Sequence, residues 1–73
     1  MTPKEAAYVR GVAVADPLLA KGLPIVGVAS LDAGEAFGLA LHIKGAVVGL
    51  QWPVDAPADE VERDIRRVLE EAA

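Results

Sequence analysis

Glu35-Ala36-Phe37-Gly38-Leu39-Ala40-Leu41-His42-Ile43-Lys44-Gly45-Ala46-Val47-Val48-Gly49-Leu50-Gln51-Trp52 is the stretch that decides the fold. The bulky apolar residues alternate along its first half, at Phe37, Leu39, Leu41 and Ile43, with Ala36, Gly38, Ala40 and His42 between them. In its second half Val48, Leu50 and Trp52 alternate with Val47, Gly49 and Gln51. A two-residue turn at Lys44-Gly45 pairs Ile43 with Ala46, Leu41 with Val48, Leu39 with Leu50 and Phe37 with Trp52. That register puts the bulky side chains on one face, as a half-buried strand pair requires. A three-residue loop would set Leu39 and Leu41 beside Gly49 and Val47 and scramble the pattern. The reading is therefore a β-hairpin.

Upstream, Leu23 to Leu31 reads as another strand. Ile25, Val26 and Val28 favour β structure, and Pro24 sits at the start, where a missing donor is tolerated. Asp32-Ala33-Gly34 supplies a tight turn with Gly34 at positive φ. The three strands then form an antiparallel meander. The first strand is apolar on both faces, which leaves its register open by one residue.

Two helices flank the sheet. Thr2-Pro3-Lys4-Glu5 has the form of a capping box, with threonine at the cap, proline at the first helical position and a carboxylate three residues after the cap. A strand over Tyr8 to Ala15 is the competing reading, but it leaves the cap unexplained. As a helix, the segment sets Tyr8, Val12 and Ala15 on one stripe, with Val9 and Ala13 beside it. Asp16-Pro17 reads as a break, giving either a kinked helix or a further short turn over Pro17 to Lys21, ended by Gly22. At the far end Val61, Ile65, Val68, Leu69 and Ala72 fall at the helical period. Asp55 or Ala56 is the expected cap, and Asp59–Arg63, Glu62–Arg66 and Arg67–Glu71 are the expected pairs on the solvated face. The fold class that follows is α+β: a single domain over residues 1–73, αβββα, with both helices packed on the three-stranded meander.

Composition bounds the function. Cysteine is absent, so neither a disulfide nor a thiolate metal site can staple so small a core. Yet 53% of the residues are apolar, more than one small domain can hide. Self-association accounts for the excess most simply. The face bearing Ala36, Gly38, Ala40, His42, Val47, Gly49 and Gln51 is flat, small-residue and weakly polar. It is the expected contact surface, with Ala40, His42, Val47, Gly49 and Gln51 as the candidate interaction residues; the alternatives are cover by the first helix, or contact through the acidic last helix. The chain opens without a basic and apolar leader and holds no uninterrupted apolar run of about 18 residues. A cytoplasmic location without membrane contact is therefore expected. The competing reading is Phe37 to Val54 as one membrane-associated helix.

Chemistry is sparse. Ser30, Thr2 and His42 are the only serine, threonine and histidine. In the meander Ser30 and His42 lie at opposite ends, roughly 20 Å apart at about 3.3 Å per residue, which excludes a dyad within one subunit. Asp32 with Glu35, and Asp59 with Glu60 and Asp64, match no metal-binding loop. Neither GxGxxG nor GxxxxGK[ST] occurs. No catalytic residue, metal ligand or cofactor is assigned.

Helix, three-stranded meander, helix is also the element order of double-stranded-RNA-binding domains, which carry lysines at the start of the last helix. Here that position reads Asp55-Ala56-Pro57-Ala58-Asp59-Glu60, which repels phosphate. Residues 55–73 hold the whole formal charge of −4, the remaining 54 residues being neutral in sum. No nucleic-acid partner is expected. The leading expectation is a non-enzymatic interaction or regulatory protein, a homo-oligomer or an accessory subunit. The alternative is a small-molecule-binding or enzymatic subunit whose site forms between chains around His42, Gln51 and Trp52.

Overall fold

The computed structural model describes residues 1–73. The elements run α1 (Pro3–Ala20), β1 (Ile25–Leu31), a left-handed turn (Asp32–Gly34, all three residues at positive φ), β2 (Ala36–Ile43), β3 (Ala46–Pro53) and α2 (Ala58–Ala72). The three strands form one antiparallel sheet in the order β1-β2-β3. β2 and β3 pair as the hairpin pattern requires, with Phe37 opposite Trp52, Leu39 opposite Leu50, Leu41 opposite Val48 and Ile43 opposite Ala46. Lys44 and Gly45 form the turn, both at positive φ (49° and 80°), as a two-residue hairpin turn demands. Phe37 to Val54 is therefore not a helix, and no helix is long and apolar enough to cross a membrane.

Both helices pack on the bulky face of the sheet. Val14, Ala15 and Leu18 of α1 meet Ile25, Phe37, Leu39, Leu41 and Trp52 from the sheet and Val61 and Ile65 from α2 in one core. Phe37, Leu39, Leu41, Val61 and Ile65 are the largest side chains fully withdrawn from solvent. The result is a two-layer α+β domain with helices on one side only.

β1 fits through a bulge. Its register against β2 shifts between Ile25 and Gly27, so that Ile25 pairs with Leu41 and Gly27 with Ala40. The extra residue, Val26, is exposed. The shift resets the alternation, so that Ile25 and Val28 both face the helices. A strand apolar on both faces carries no sign of this, which is why its register is not fixed by pattern.

The first helix forms as its cap predicts. The Glu5 backbone N–H donates to Thr2 Oγ1, and the Thr2 N–H donates to Glu5 Oε1. The face it buries is a correction. Ala7, Gly11, Val14, Ala15 and Leu18 turn inward, whereas Tyr8 and Val9 are half exposed. Small residues win the inner stripe because the helix backbone sits close to the sheet: a β-carbon on Gly11 would lie 2.6 Å from Val28 Cγ1.

Asp16-Pro17 does not divide the helix, which runs unbroken to Ala20 with Pro17 inside. Pro17 has no N–H to offer the Ala13 carbonyl. Both residues lie on the exposed side, where water can take that carbonyl, while Leu18 is anchored in the core. The helix closes with Gly22 at φ 86°; the Gly22 N–H donates to Leu19 O and the Leu23 N–H to Leu18 O, a Schellman arrangement.

Neither Asp55 nor Ala56 caps α2. Pro57 holds that position and offers no side-chain hydrogen bond. Ala56 is instead buried, with its carbonyl accepting from the Arg10 guanidinium at 2.9 Å. On the solvated face Glu62 pairs with Arg66 as expected, but Arg63 turns to Glu60 instead of Asp59, and Arg67 turns back to Asp64 instead of forward to Glu71. Asp64 is the better partner for Arg67 because it is already fixed by another bond: the Trp52 indole Nε1–H donates to Asp64 Oδ2 at 2.8 Å.

Candidate functional site

The pleat sends every second residue of the sheet away from the helices. On β2 these are Ala36, Gly38, Ala40 and His42; on β3, Val47, Gly49 and Gln51. Ala40 pairs across the strands with Gly49, His42 with Val47, and Gly38 with Gln51. Because the bulge shifts the alternation of β1, Gly27, Ala29 and Leu31 join them, opposite Ala40, Gly38 and Ala36. The five candidate interaction residues thus share one outer face, which no element of the chain covers. The first helix lies on the opposite side of the sheet.

This face is open, predominantly apolar and built mostly of small residues. A groove of about 410 Å³ runs over Gly27, Ala29, Leu31, Gly38, Ala40, Gly49 and Gln51. Its floor is glycine and alanine, so the pleated backbone itself is accessible. Leu31 bends over Gly38, where an added β-carbon would lie 3.0 Å from Leu31 Cδ1 and 3.3 Å from Leu50 O. Val47, on the same face, is 66% exposed. The strands of this face contain no Asp, Glu, Lys or Arg, and Lys44 lies in the turn beyond them.

Within one chain, His42, Gln51 and Trp52 do not converge. His42 and Gln51 lie on the outer face, four positions apart in register, about 13 Å along a strand. Trp52 points the other way. It is 5% exposed and packs against Phe37 with ring centroids 5.8 Å apart, its indole N–H held by Asp64. Ser30 and His42 are separated as the topology requires. Ser30 pairs with Phe37 and His42 with Val47 near the other end of the sheet. The Ser30 hydroxyl is buried without a hydrogen-bond partner, and no base lies beside it to activate it. No three His, Cys, Asp or Glu side chains cluster in a way that can hold a metal ion.

Electrostatic structure is concentrated elsewhere, on α2. Glu62 accepts from Lys21 Nζ at 2.7 Å and from Arg66 Nε at 3.0 Å. The hydrogen bond from Lys21, then that from Arg66, hold its carboxyl below the usual carboxylate range, against the opposing pull of partial desolvation. This ties the C-terminal end of α1 to α2 and serves the fold rather than the outer face.

Sequence pattern alone identifies the small residues of β2 and β3 as one surface, but not the contribution of β1, whose phase is set by the bulge. Compared with protein-family models, with curated proteins and with solved structures, the chain matches none.

Proposed function

We propose that this chain is a small non-enzymatic interaction subunit that works by docking the outer face of its sheet against another protein layer, first of all a second copy of itself. The observation that carries this reading is the outer face of Gly27, Ala29, Ala40 and Gly49, which no element covers, with its groove of about 410 Å³. A sheet face meant for water carries Lys, Glu and Thr on alternate residues. Here only His42 and Gln51 of those positions are polar; the others are glycine, alanine, Val47 and Leu31, and the small ones let a second backbone layer approach closely. The lack of any arrangement of nucleophile, base and orienting group on that face favours binding over catalysis.

The test is solvent access to the face as a function of concentration. Methyl resonances of Ala40 and Val47 should be shielded from a soluble paramagnetic agent at high protein concentration and become accessible on dilution. Ala40→Lys, at the centre of the face, should abolish the shielding while leaving the far-UV circular dichroism unchanged. Methyl groups that stay fully accessible at every concentration overturn self-docking through this face.

A further inference from the structure

The hydrogen-bonding state of β3 points to a second contact, made by its backbone. The His42 N–H donates to Pro24 O at 2.9 Å, on the β1 side. Neighbouring residues of a strand direct their N–H and C=O groups to opposite sides. Phe37, Leu39, Leu41 and Ile43 therefore turn theirs to β3, where they meet Trp52, Leu50, Val48 and Ala46. The residues left over, Val47, Gly49 and Gln51, aim their N–H and C=O groups at the open edge. None of the three takes part in a turn, loop or side-chain hydrogen bond.

The two edges of the sheet differ. β1 is preceded by Pro24 and carries the bulge at Val26, both of which blunt an edge against strand addition. β3 is regular over its whole paired length, with no charged residue from Ala46 to Trp52 and no proline before Pro53. Beside it the groove between β3 and α2 is open, about 290 Å³, with Leu50, Trp52 and Val68 on its walls and both signs of charge from Asp64, Arg67 and Glu71.

We infer that β3 of one copy pairs antiparallel with β3 of a second copy about a two-fold axis at Gly49, giving a six-stranded sheet with all four helices on one side. The register is self-complementary: Val47 lies opposite the partner's Gln51, Gly49 opposite the partner's Gly49, and Gln51 opposite the partner's Val47. Each of these pairs exchanges two backbone hydrogen bonds, so all the open edge groups of the three residues are satisfied, and no like charges meet.

This goes beyond the self-docking reading above and stands or falls separately from it, but the area of the face links the two. Three strands about 4.8 Å apart and about 26 Å long offer a face of roughly 370 Å². That is well short of the ~800 Å² per partner of a standard stable interface. Pairing the edges doubles the continuous face, and so supplies what stacking of a single three-stranded sheet lacks.

The experiment separates the two contacts. In the Ala40→Lys variant, where face stacking is removed, sedimentation equilibrium should still give twice the 7.6 kDa chain mass. The amides of Val47, Gly49 and Gln51 in that variant should gain protection from hydrogen exchange as concentration rises. Adding Gly49→Pro removes an outward N–H without touching the β2 ladder, and should return the mass to that of the monomer with the circular dichroism retained. If Ala40→Lys is monomeric at ~1 mM while the unaltered chain is dimeric, edge pairing is overturned and the outer-face reading stands. If the edge amides of the unaltered chain exchange freely at every concentration, edge pairing is overturned without recourse to any variant. If instead the assembly and its edge protection are unchanged by Ala40→Lys and the Ala40 methyl is never shielded, edge pairing is supported and the outer-face reading fails.

Discussion

Gly11 of α1 backs directly onto Val28 of β1: a β-carbon at Gly11 would lie 2.6 Å from Val28 Cγ1 and 3.4 Å from Phe37 Cβ. Mid-helix glycine normally costs about 1 kcal/mol relative to alanine, so Gly11→Ala ought to stabilise if propensity alone ruled. The short, stiff valine branch cannot swing clear, and overpacking of this kind typically costs about 1–3 kcal/mol. Gly11→Ala should therefore lower stability by roughly 1–2 kcal/mol net in urea denaturation. An increase in the midpoint would show that α1 can shift outward freely.

Trp52 is the only tryptophan, so its fluorescence reports unfolding directly. Its N–H bond to Asp64 is charge-assisted and joins β3 to α2. Asp64→Leu leaves a largely buried donor unpaired and strands Arg67, and should cost about 1–3 kcal/mol. Asp64→Asn, which keeps an acceptor, should cost less. Equal losses in the two variants would mean that the bond contributes little.

The Glu62 carboxyl is held below its usual range by Lys21 and then Arg66. Its folded pKa is thus depressed relative to the unfolded chain, so its contribution to stability is present above the unfolded value and is lost as pH falls through the folded one. Acidification from pH 6 to below the ordinary carboxylate range should reduce the stability difference between the unaltered chain and Glu62→Gln. Its side chain is 22% exposed and Lys21 53%, so added salt should shrink the same difference. A difference indifferent to both pH and salt would refute the ion-pair account.

Leu39 and Val47 have opposite fates on one sheet. Leu39 is 1% exposed and Val47 66%. Leu39→Asp places an unpaired carboxylate in the core and should abolish cooperative thermal unfolding. Val47→Asp should leave the monomer fold intact, with a change in stability within about 1 kcal/mol. Loss of folded circular dichroism in Val47→Asp would mean that the outer face has a role within the monomer.

Much of this fold was legible because local rules leave single answers. The alternation on either side of Lys44-Gly45 admits one register, and Thr2, Pro3 and Glu5 have one economical use. The spacing of Val61, Ile65, Val68 and Leu69 selects one face of α2. The inner face of α1 was not legible: Tyr8, Val9 and Val12 look more apolar than Ala7 and Gly11, and nothing local says that the sheet demands a thin helix surface there. The same applies to Pro17, whose effect depends on whether the orphaned carbonyl meets water or core. Among the candidate interaction residues, the common face of Ala40, His42, Val47, Gly49 and Gln51 followed from the pleat. The place of Gly27, Ala29 and Leu31 beside them did not, because one bulge residue decides it.

The amino-acid sequence determined the elements of this protein, their order and the side of the hairpin that is buried, because cap chemistry, turn chemistry and side-chain period act over a few residues. Tertiary structure alone decided that both helices cover the same face, that α1 approaches through Gly11, and that β3 keeps an open edge beside an uncovered floor of glycine and alanine. Those outcomes depend on how closely separate elements approach one another. That distance is set by packing across the core between residues far apart in the chain, and no local pattern encodes it.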